Sequence, residues 1–580
     1  MLFMSFMVNL PAVYRLLPPD ACSRRNHLEK LKRSKKVPCF ELADPSYSPV
    51  HESPSTITMS DQTSTSYDLL PYPPYTFPAT HIGKLGAIGR VFGLEAADPA
   101  GARVLELGCG TGVNLLAMAQ IFPGAEFVGI DASKRQIEGG HEVLAATGVS
   151  NLRLITTDIS KIEEDLGKFD YIITHGIYSW VPQEVKDAIL RISSENLNPN
   201  GIAYVSYNCL PGWRMRGALR DMMIMHTGGI SNTLDKVAQA KALIKFLAES
   251  CAEETPYGKY LRQELEMISK ADDSYIAHEF LESDNDPLYF TDFLKAAAKF
   301  NLGYLGDADP ATMITDNLPG PAAQTLKSLK LNLLATEQYM DFVRNRTFRS
   351  TLLCHSAAQL NRNLDPRRLD GLHVTSLIAL KEEPTGGKPA VFTSAGGGEL
   401  TVNEPITAQV FLHVGRLGKA SKLVDDLVEG VSASMADRFK DLDPAAVKSD
   451  LSRVLLQGYL KKMVDFTIGA PGRRTSSSDN PEALPLARQQ AARGLRISSQ
   501  RLEMLNSDAF VSKLITLCDG SRDRAAIIAG MVAAVEAREF QLNENNQPIT
   551  DPERAKFVIE RLYDSAVQNL TNLGLLLQKA

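Results

Sequence analysis

The 580-residue chain has little of what marks a secreted, metal-binding or membrane-spanning protein. Its 7 cysteines are odd in number and scattered, and no two of them stand in C-x-x-C spacing. Such cysteines argue against a disulfide framework and against a zinc site, and they fit a reducing, cytoplasmic compartment. No apolar run approaches the ~18 residues of a membrane span. We therefore expect no metal and no stable membrane insertion.

An excess of basic charge is also missing. The chain carries 62 lysines and arginines against 68 aspartates and glutamates, a formal net charge of −6. A protein that grips the nucleic-acid backbone usually has a basic excess on one of its domains. We therefore expect no nucleic-acid partner.

Residues 1–60 are predicted to be a disordered N-terminal extension. The apolar segment Met1–Leu17 contains Pro11 and has neither the leading basic residues nor the cleavage site of a signal peptide. The basic segment Arg24–Lys36 and a stretch rich in serine, threonine and proline follow it. Met59 would be a natural start for the folded protein, which would make the residues before it an upstream extension of the reading frame. The alternative is a basic tail that binds membrane or nucleic acid.

A glycine-rich turn between an apolar strand and a helix-forming run is the most informative motif. The strand contains Glu106, and the turn reads G-x-G-x-G, with Val113 where a dinucleotide-binding turn carries glycine or alanine. Glycine has no side chain, so backbone N–H groups can approach a ligand closely. Because Glu106 would repel a pyrophosphate and attract an ammonium group, the ligand is not expected to be a dinucleotide. The candidate ligand-binding residues of the turn are Gly108, Cys109, Gly110 and Gly112.

Two further carboxylates stand at the ends of predicted strands. Asp131 follows the last glycine of the turn by 19 residues, the spacing at which an acidic residue accepts hydrogen bonds from ribose hydroxyls. Asp158 follows a third strand, where it could meet an adenine amine or cap the next turn, and Ile159 could offer its backbone N–H. Strands at 169–174 and 201–207 continue the alternation with helices, which predicts an α/β fold with a parallel sheet.

The chain resembles the class I S-adenosylmethionine-dependent methyltransferases in the order of these features: the glycine-rich turn, the two aspartates and the alternation of strands with helices. The resemblance implies a Rossmann-like core with a mostly parallel seven-stranded sheet, and S-adenosyl-L-methionine as the cofactor. Glu106 would then lie at the methionine end of the cofactor, with a helix-capping role as its alternative. Asp131 would bind the ribose diol and Asp158 the adenine. Asn114 and Gln136 could line the pocket, although solvation at the surface would also explain them.

Later segments make the resemblance more specific. The segments Tyr171–Pro182 and Val205–Arg216, with the helical blocks after them, resemble bacterial methyltransferases that carry a methyltransferase regulatory domain. The rickettsial protein-lysine methyltransferases of the surface protein OmpB share this architecture. A glycine-turned hairpin is predicted from Phe392 to Leu400. The predicted domains are the cofactor-binding methyltransferase domain at 61–216, a helical regulatory domain at 217–320, a helical middle segment at 321–385, a winged helix at 386–468, a linker at 469–494 and a C-terminal helical domain at 495–580.

The loop after the fourth strand stands where class I methyltransferases meet the methyl acceptor. His175 could take the proton of an amine acceptor, since the unperturbed pKa of histidine lies near 6.5. Tyr178, Trp180 and Tyr207 could form an aromatic wall that holds an ammonium group by cation–π attraction, or they could fill the core. The proline-rich, aromatic segment Tyr72–His81 could cover the cofactor pocket or pack against the sheet.

Three arginines stand at near-helical spacing in a later block. Arg344, Arg346 and Arg349 could form a salt-bridged face with Glu337 and Asp341. The alternative is a docking surface for an acidic partner, or a contact in a homodimer through the helical domains.

These observations predict a methyltransferase whose acceptor is a protein, with a lysine amine as the methylated group. A small catalytic core joined to a much larger non-catalytic part suits a macromolecular substrate. One alternative is a small-molecule or lipid acceptor. An alternative of another class is a non-catalytic scaffold or sensor that binds the cofactor.

Overall fold

The computed structural model describes residues 70–579, apart from 163–164, 385–388, 395–396, 419, 471–473, 476–479 and 545–546. The predicted N-terminal extension lies outside these residues. Among the helices that the model describes, none is both long and apolar enough to cross a membrane.

A seven-stranded sheet forms the centre of the methyltransferase part. Its strands are β1 (Arg103–Leu107), β2 (Glu126–Asp131), β3 (Leu152–Thr156), β4 (Phe169–Thr174), β5 (Leu197–Asn208), β6 (Leu302–Asp307) and β7 (Phe348–His355). They lie in the order β3-β2-β1-β4-β5-β7-β6, and only β7 runs antiparallel to its neighbours. The predicted fold class, an α/β fold with a mostly parallel seven-stranded sheet, is confirmed.

Helices cover both faces of this sheet, which explains why the parallel strands read as runs of valine, leucine and isoleucine. The helices between the first strands are α1 (Ile82–Val91), α2 (Val113–Ala119), α3 (Lys134–Thr147) and α4 (Gln183–Glu195). The first three contribute to one apolar cluster and α4 to the cluster on the other face. Local signals set their ends: the Ser133 hydroxyl accepts the Gln136 N–H at the start of α3, and Gly148, at φ +67°, ends it.

Seven α-helices lie between β5 and β7 in the chain. Five lie between β5 and β6: α5 (Trp213–Thr227), α6 (Thr233–Ser250), α7 (Pro256–Lys270), α8 (Asp273–Phe280) and α9 (Phe290–Ala298). Two more, α10 (Gly320–Ser328) and α11 (Leu333–Arg344), lie between β6 and β7. Most of the first group packs around its own apolar cluster, whereas α9 covers the sheet. The sheet therefore extends past the boundary predicted at 216, into segments predicted to be helical.

Buried ion pairs join α11 to the sheet. The fully buried Arg349 guanidinium donates to Asp341 and Glu337 at 2.8 and 2.9 Å. Arg346 lies 3.7 Å from Asp341, and Arg344 donates instead to a backbone carbonyl at 2.6 Å. The predicted pairing of Arg346 and Arg349 is thus present, but inside the protein, where neither Glu337 nor Asp341 is accessible to a partner.

The middle of the chain forms two three-stranded sheets with helices around them. The strands are β8 (Leu372–Ser376), β9 (Ile378–Glu382), β10 (Ala390–Ser394), β11 (Glu399–Val402), β12 (Ser421–Leu423) and β13 (Val464–Ile468), and the helices are α12 (Pro405–Leu417), α13 (Val424–Ser434), α14 (Ala436–Phe439) and α15 (Pro444–Leu460). One sheet has the order β11-β10-β9 and the other β12-β8-β13. Phe392 pairs with Leu400 across β10 and β11, so the predicted hairpin is confirmed.

The last segment has a core of its own. Its helices are α16 (Pro485–Ala492), α17 (Ala509–Leu517), α18 (Arg524–Glu536) and α19 (Pro552–Asn572), and its short strands are β14 (Arg474–Thr475), β15 (Ile497–Ser498), β16 (Met504–Leu505), β17 (Asn543–Glu544), β18 (Gln547–Pro548) and β19 (Gln578–Lys579). Short 3₁₀ helices occur at Pro78–Thr80, Pro99–Gly101, Ile159–Lys161, Tyr178–Trp180, Pro310–Met313, Thr315–Asn317 and Pro366–Leu369. Leu486 and Leu502 of this segment pack into the apolar cluster of the methyltransferase sheet, so the two parts are joined by side-chain contacts.

Candidate active site

The glycine-rich turn connects β1 to α2 at the carboxyl edge of the sheet, where open α/β sheets bind their ligands. Gly108, Gly110 and Gly112 all have positive φ, at +73°, +56° and +70°. A Cβ on Gly112 would lie 2.5 Å from the Leu154 side chain, and one on Gly108 2.5 Å from Ile177. Both the backbone conformation and the close packing therefore require glycine at these positions.

Glu106 lies beneath the turn with only 3 % of its surface exposed. Its Oε1 accepts a hydrogen bond from Asn114 Nδ2 at 2.9 Å, while Oε2 is buried with no hydrogen-bond partner among the described residues. Burial raises the pKa of Glu106 to about 8, since the charge of Asp131 adds to the effect and the Asn114 hydrogen bond only partly opposes it. Glu106 does not cap α2, because Gly112 occupies the N-cap position. An ammonium group would satisfy the unpartnered oxygen, so this side chain fits the amino-acid end of S-adenosylmethionine.

Asp131 ends β2 and holds the turn. Its Oδ2 accepts the Gly110 N–H and its Oδ1 the Ser133 N–H, both at 2.8 Å. Each carboxylate oxygen has two lone pairs, so these bonds orient the group and leave acceptor capacity for a ribose diol. The backbone of Cys109 donates to Ile130 in the same strand, which brings the turn and the end of β2 together.

Asp158 stands beyond β3, next to the end of β2, because Asp131 pairs with Thr156 in the sheet register. Asp158 Oδ1 accepts the N–H of Ser160 at 2.8 Å and its hydroxyl at 2.7 Å, so it caps the short helix that begins at Ile159. The capping alternative is therefore present, and the adenine contact stays a prediction. The Ile159 side chain is buried in the apolar cluster below.

His175 follows β4 and lies among aromatic side chains. Its Nδ1 is 2.9 Å from the Tyr204 hydroxyl, and its ring centre is 3.9 Å from that of Phe77. The Phe348 ring lies edge-on at 6.1 Å. Desolvation lowers the pKa of His175 to about 4, so its imidazole is neutral at pH 7. Sequence reasoning missed all three aromatic neighbours.

Tyr178 and Tyr207 lie elsewhere, in the core on the opposite face of the sheet. Each is only 1 % exposed, and their rings pack on Phe293 at centre-to-centre distances of 5.2 and 4.3 Å. The partly buried Trp180 packs edge-on against Trp213 at 6.0 Å. The structure therefore shows the core-packing alternative for Tyr178 and Tyr207, and they do not form the predicted aromatic wall beside His175.

The segment Tyr72–His81, which we call the strap, contacts both His175 and the first turn of α2, directly after the glycine-rich turn. The backbone N–H of Phe77 donates to Asn114 Oδ1 at 3.0 Å, and Asn114 Nδ2 donates to the Thr80 hydroxyl at 3.1 Å. Asn114 is buried rather than solvated, and so is Gln136, whose Oε1 would lie 3.1 Å from a Cβ on Gly110. The strap therefore packs on this edge of the sheet, and its covering of the bound cofactor stays a prediction.

Three family models match the chain. A methyltransferase domain matches residues 98–279, a predicted methyltransferase regulatory domain matches 272–355, and a PKMT C-terminal winged helix domain matches 479–575. The winged helix of this last model therefore lies C-terminal to 386–468, where we predicted one. It covers α16 to α19 and the β17–β18 hairpin, a segment predicted to be a linker and a helical domain.

Similar proteins cover nearly the whole chain. PKMT2 from Rickettsia typhi has a solved structure that matches 87 % of this chain and 100 % of its own, at a TM-score of 0.77 and 30 % identity. The same protein in complex with AdoHcy matches with a TM-score of 0.75 and 31 % identity, over 87 % of this chain and 100 % of its own. The uncharacterized protein RP789 of Rickettsia prowazekii is 31 % identical over 529 residues, which is 88 % of this chain and 93 % of that protein.

The sheet order, the glycine turn with its three carboxylates and the match over the full length of PKMT2 agree with one another. The protein is an S-adenosylmethionine-dependent methyltransferase, and it belongs to the family of regulatory-domain methyltransferases that includes PKMT2.

Proposed function

We propose that this methyltransferase acts on a protein and that the methylated group is a lysine amine. The observation that carries the proposal is the extent of the likeness to PKMT2, whose name abbreviates protein-lysine methyltransferase. The match extends over the helices inserted between β5 and β7, the middle sheets and the winged helix, none of which supplies the glycine turn or the carboxylates of the cofactor site. A small-molecule acceptor would require only the methyltransferase core and a closed pocket.

At the cofactor end, the proposed roles follow the hydrogen-bonding capacity of each group. Glu106 Oε2 accepts from the ammonium group, Asp131 from the ribose diol, and Asp158 from the adenine amine, next to the Ile159 N–H. The glycines let the backbone of the turn approach the ligand. When bound, S-adenosylmethionine supplies an electrophilic methyl group. The protein then has to align the acceptor and keep water away.

At the acceptor end, His175 is proposed to orient an amine that is already neutral. A histidine with a pKa of about 4 is too weak a base to take a proton from a lysine ammonium group, whose ordinary pKa is about 10.4. The difference corresponds to about 9 kcal/mol, so a proton placed on His175 would not remain there. The rings of Phe77, Tyr204 and Phe348 make the surroundings apolar, and desolvation favours the neutral form of an entering amine.

We also propose that nucleic acid is not a methyl acceptor of this enzyme. A winged helix that reads DNA places a basic helix in the major groove. The candidate helix here, α18, is largely apolar, and Arg524 at its start pairs with Asp564 at 3.3 Å. Titration of the full chain with duplex DNA should show no salt-sensitive binding, and such binding would contradict this part of the proposal.

The acceptor can be tested with the full-length protein, S-adenosylmethionine carrying a labelled methyl group, and a lysate of the source organism. We expect label on protein, and methyl-lysine when the labelled bands are examined by mass spectrometry. The matched control is Asp131→Ala, which should lose the label. If label appeared only on small molecules or lipids, and the Asp131→Ala control produced no label, the proposal of a protein acceptor would be wrong. The assignment as a methyltransferase would be unaffected.

A further inference from the structure

The strap lies between the cofactor site and the C-terminal winged helix and contacts both. Thr76 is only 3 % exposed, and its hydroxyl donates to the Leu502 carbonyl at 2.9 Å and lies 3.2 Å from Met504 Sδ. The next residue, Phe77, donates its N–H to Asn114 Oδ1. A single peptide bond therefore separates a contact to the winged helix from a contact to the cofactor site.

The acceptor of the Thr76 hydrogen bond is rigidly built. Leu502 has φ +60°, a left-handed conformation that is strained for leucine, and its side chain is fully buried in the apolar cluster of the methyltransferase sheet. The Ser499 hydroxyl accepts the N–H groups of Arg501 and Glu503, which closes the loop around Leu502. This loop can serve as a fixed anchor for the strap.

The strap in turn decides which way the Asn114 amide faces. Asn114 Oδ1 accepts the Phe77 N–H, so Nδ2 must lie on the other side, where it donates to Glu106 Oε1 at 2.9 Å. With the amide reversed, the Asn114 NH₂ group would face the Phe77 N–H, which would lose its acceptor, and a carbonyl oxygen would face Glu106, whose ionised form has no proton to donate. The position of Phe77 therefore controls the hydrogen bond that orients Glu106.

We propose that Thr76 is a positioning residue through which the C-terminal winged helix sets the affinity of the enzyme for its cofactor. Thr76 anchors the strap, the strap orients Asn114, and Asn114 presents Glu106 to the amino-acid end of the ligand. The inference rests on the role proposed above for Glu106. It assigns the winged helix a task at the cofactor site, in addition to any contact with the acceptor.

The test compares two ligands on the full chain by calorimetry. S-adenosylhomocysteine has the ammonium group that Glu106 would bind, whereas 5′-methylthioadenosine lacks the amino-acid end. Thr76→Val keeps the shape and removes the hydroxyl, and it should weaken S-adenosylhomocysteine binding roughly 5- to 30-fold, the factor for a lost buried hydrogen bond. Binding of 5′-methylthioadenosine should change by less than about 2-fold, and Thr76→Ser should restore both affinities.

Thr227→Val is the matched control, because it also removes a buried threonine hydroxyl that donates to a backbone carbonyl, at 2.8 Å, but this carbonyl belongs to Met223 in the same helix, α5. It should leave both affinities unchanged. An equal loss for both ligands in Thr76→Val would indicate a general structural role, and no loss in a folded Thr76→Val would also overturn the proposal.

A measurement on the unaltered protein covers the case in which Thr76→Val does not fold. Hydrogen exchange should slow on addition of S-adenosylhomocysteine in two places together, the strap and residues 497–505 of the winged helix. Slowing in the strap alone would contradict the coupling. Glu106→Gln separates the two proposals: unchanged S-adenosylhomocysteine affinity in that variant refutes the role of Glu106, whereas a loss there with none in Thr76→Val refutes only the positioning by Thr76.

Discussion

Replacing Glu106 with glutamine removes the charge of the buried carboxylate and keeps its shape. Without ligand, the pKa of Glu106 is raised from 4.5 to about 8 by burial, so the folded protein holds this proton more tightly than the unfolded chain does. The free energy of unfolding from this group is therefore greatest below pH 4.5, and it is lost as pH rises through about 8. The loss is ~1.4 kcal/mol per pH unit across that window.

Glutamine does not titrate, so the variant lacks this loss. Relative to the unaltered protein, Glu106→Gln should gain roughly 4 kcal/mol in unfolding free energy between pH 5 and pH 8.5. The measurement is urea unfolding of both ligand-free proteins at several pH values. Glu126→Gln is the control, because this carboxylate lies at the other end of β2 with its side chain 69 % exposed. Parallel pH profiles for Glu106→Gln and the unaltered protein would refute the reasoning, since they would show that Glu106 is already ionised at neutral pH.

The negative charge of Glu106, which destabilises the ligand-free protein, should strengthen the binding of a ligand that carries an ammonium group. Binding of an ammonium group requires ionised Glu106, so S-adenosylhomocysteine affinity of the unaltered protein should rise up to pH 8, with release of a proton. At pH 8.5, Glu106→Gln should bind this ligand roughly 10- to 150-fold more weakly, the equivalent of a charge-assisted hydrogen bond of about 1.5–3 kcal/mol. Calorimetry in buffers of different ionisation enthalpy measures both the affinity and the proton. Equal affinities at pH 8.5 would show that the ammonium group binds elsewhere.

Three further predictions concern the turn, the ribose contact and the buried ion pairs. Asp131→Ala should weaken S-adenosylhomocysteine binding by about 10- to 150-fold in calorimetry, because two charge-assisted hydrogen bonds are lost, whereas Glu126→Ala should not. Gly110→Ala should weaken the same binding, since φ is +56° there, and an unchanged affinity in the folded variant would contradict the close approach of the turn. Arg349→Met removes the nearest cation from the buried carboxylates of Glu337 and Asp341, of which only Asp341 keeps an ion pair, with Arg346. It should lower the unfolding free energy by about 3–5 kcal/mol in urea, whereas Arg367→Met, which breaks an exposed pair, should cost less than about 1 kcal/mol.

The cofactor edge could be predicted from the sequence because its geometry is local. Three glycines, the carboxylate before them and the aspartate at the end of the next strand all lie within one β–α–β unit, where spacing alone fixes their relation. The hydrogen bond from the Gly110 N–H to Asp131 lies within that unit. The acceptor end could not be predicted in the same way. Phe77 reaches His175 from a segment almost 100 positions earlier, and Phe348 from one far later.

The misplaced aromatic wall shows where a further physical rule would have helped. Side chains in a strand alternate between faces, and Tyr204 and Tyr207 are three residues apart, so they must face opposite sides. In the observed register Glu106 pairs with Ile173 and Ile173 with Tyr204, so Glu106 and Tyr204 lie in one row on one face. Counting from Glu106 would have selected Tyr204 as the neighbour of His175. It would have left Tyr207 in the core.

The order of the last strands explains why the domain boundaries do not follow the sequence patterns. β5 is a long apolar strand, and it would be an exposed edge if the methyltransferase fold ended at residue 216. In the structure β7 covers that edge over six pairs of residues, from Ala203–Leu353 to Asn208–Phe348. β7 also supplies Ser350, whose hydroxyl is 2.9 Å from the Tyr204 hydroxyl beside His175. The sheet and the acceptor end of the site are therefore completed only by β7, which follows the seven inserted helices in the chain. The strap is anchored later still in the sequence, by the loop around Leu502. The active site is thus a product of almost the whole described chain rather than of one N-terminal domain.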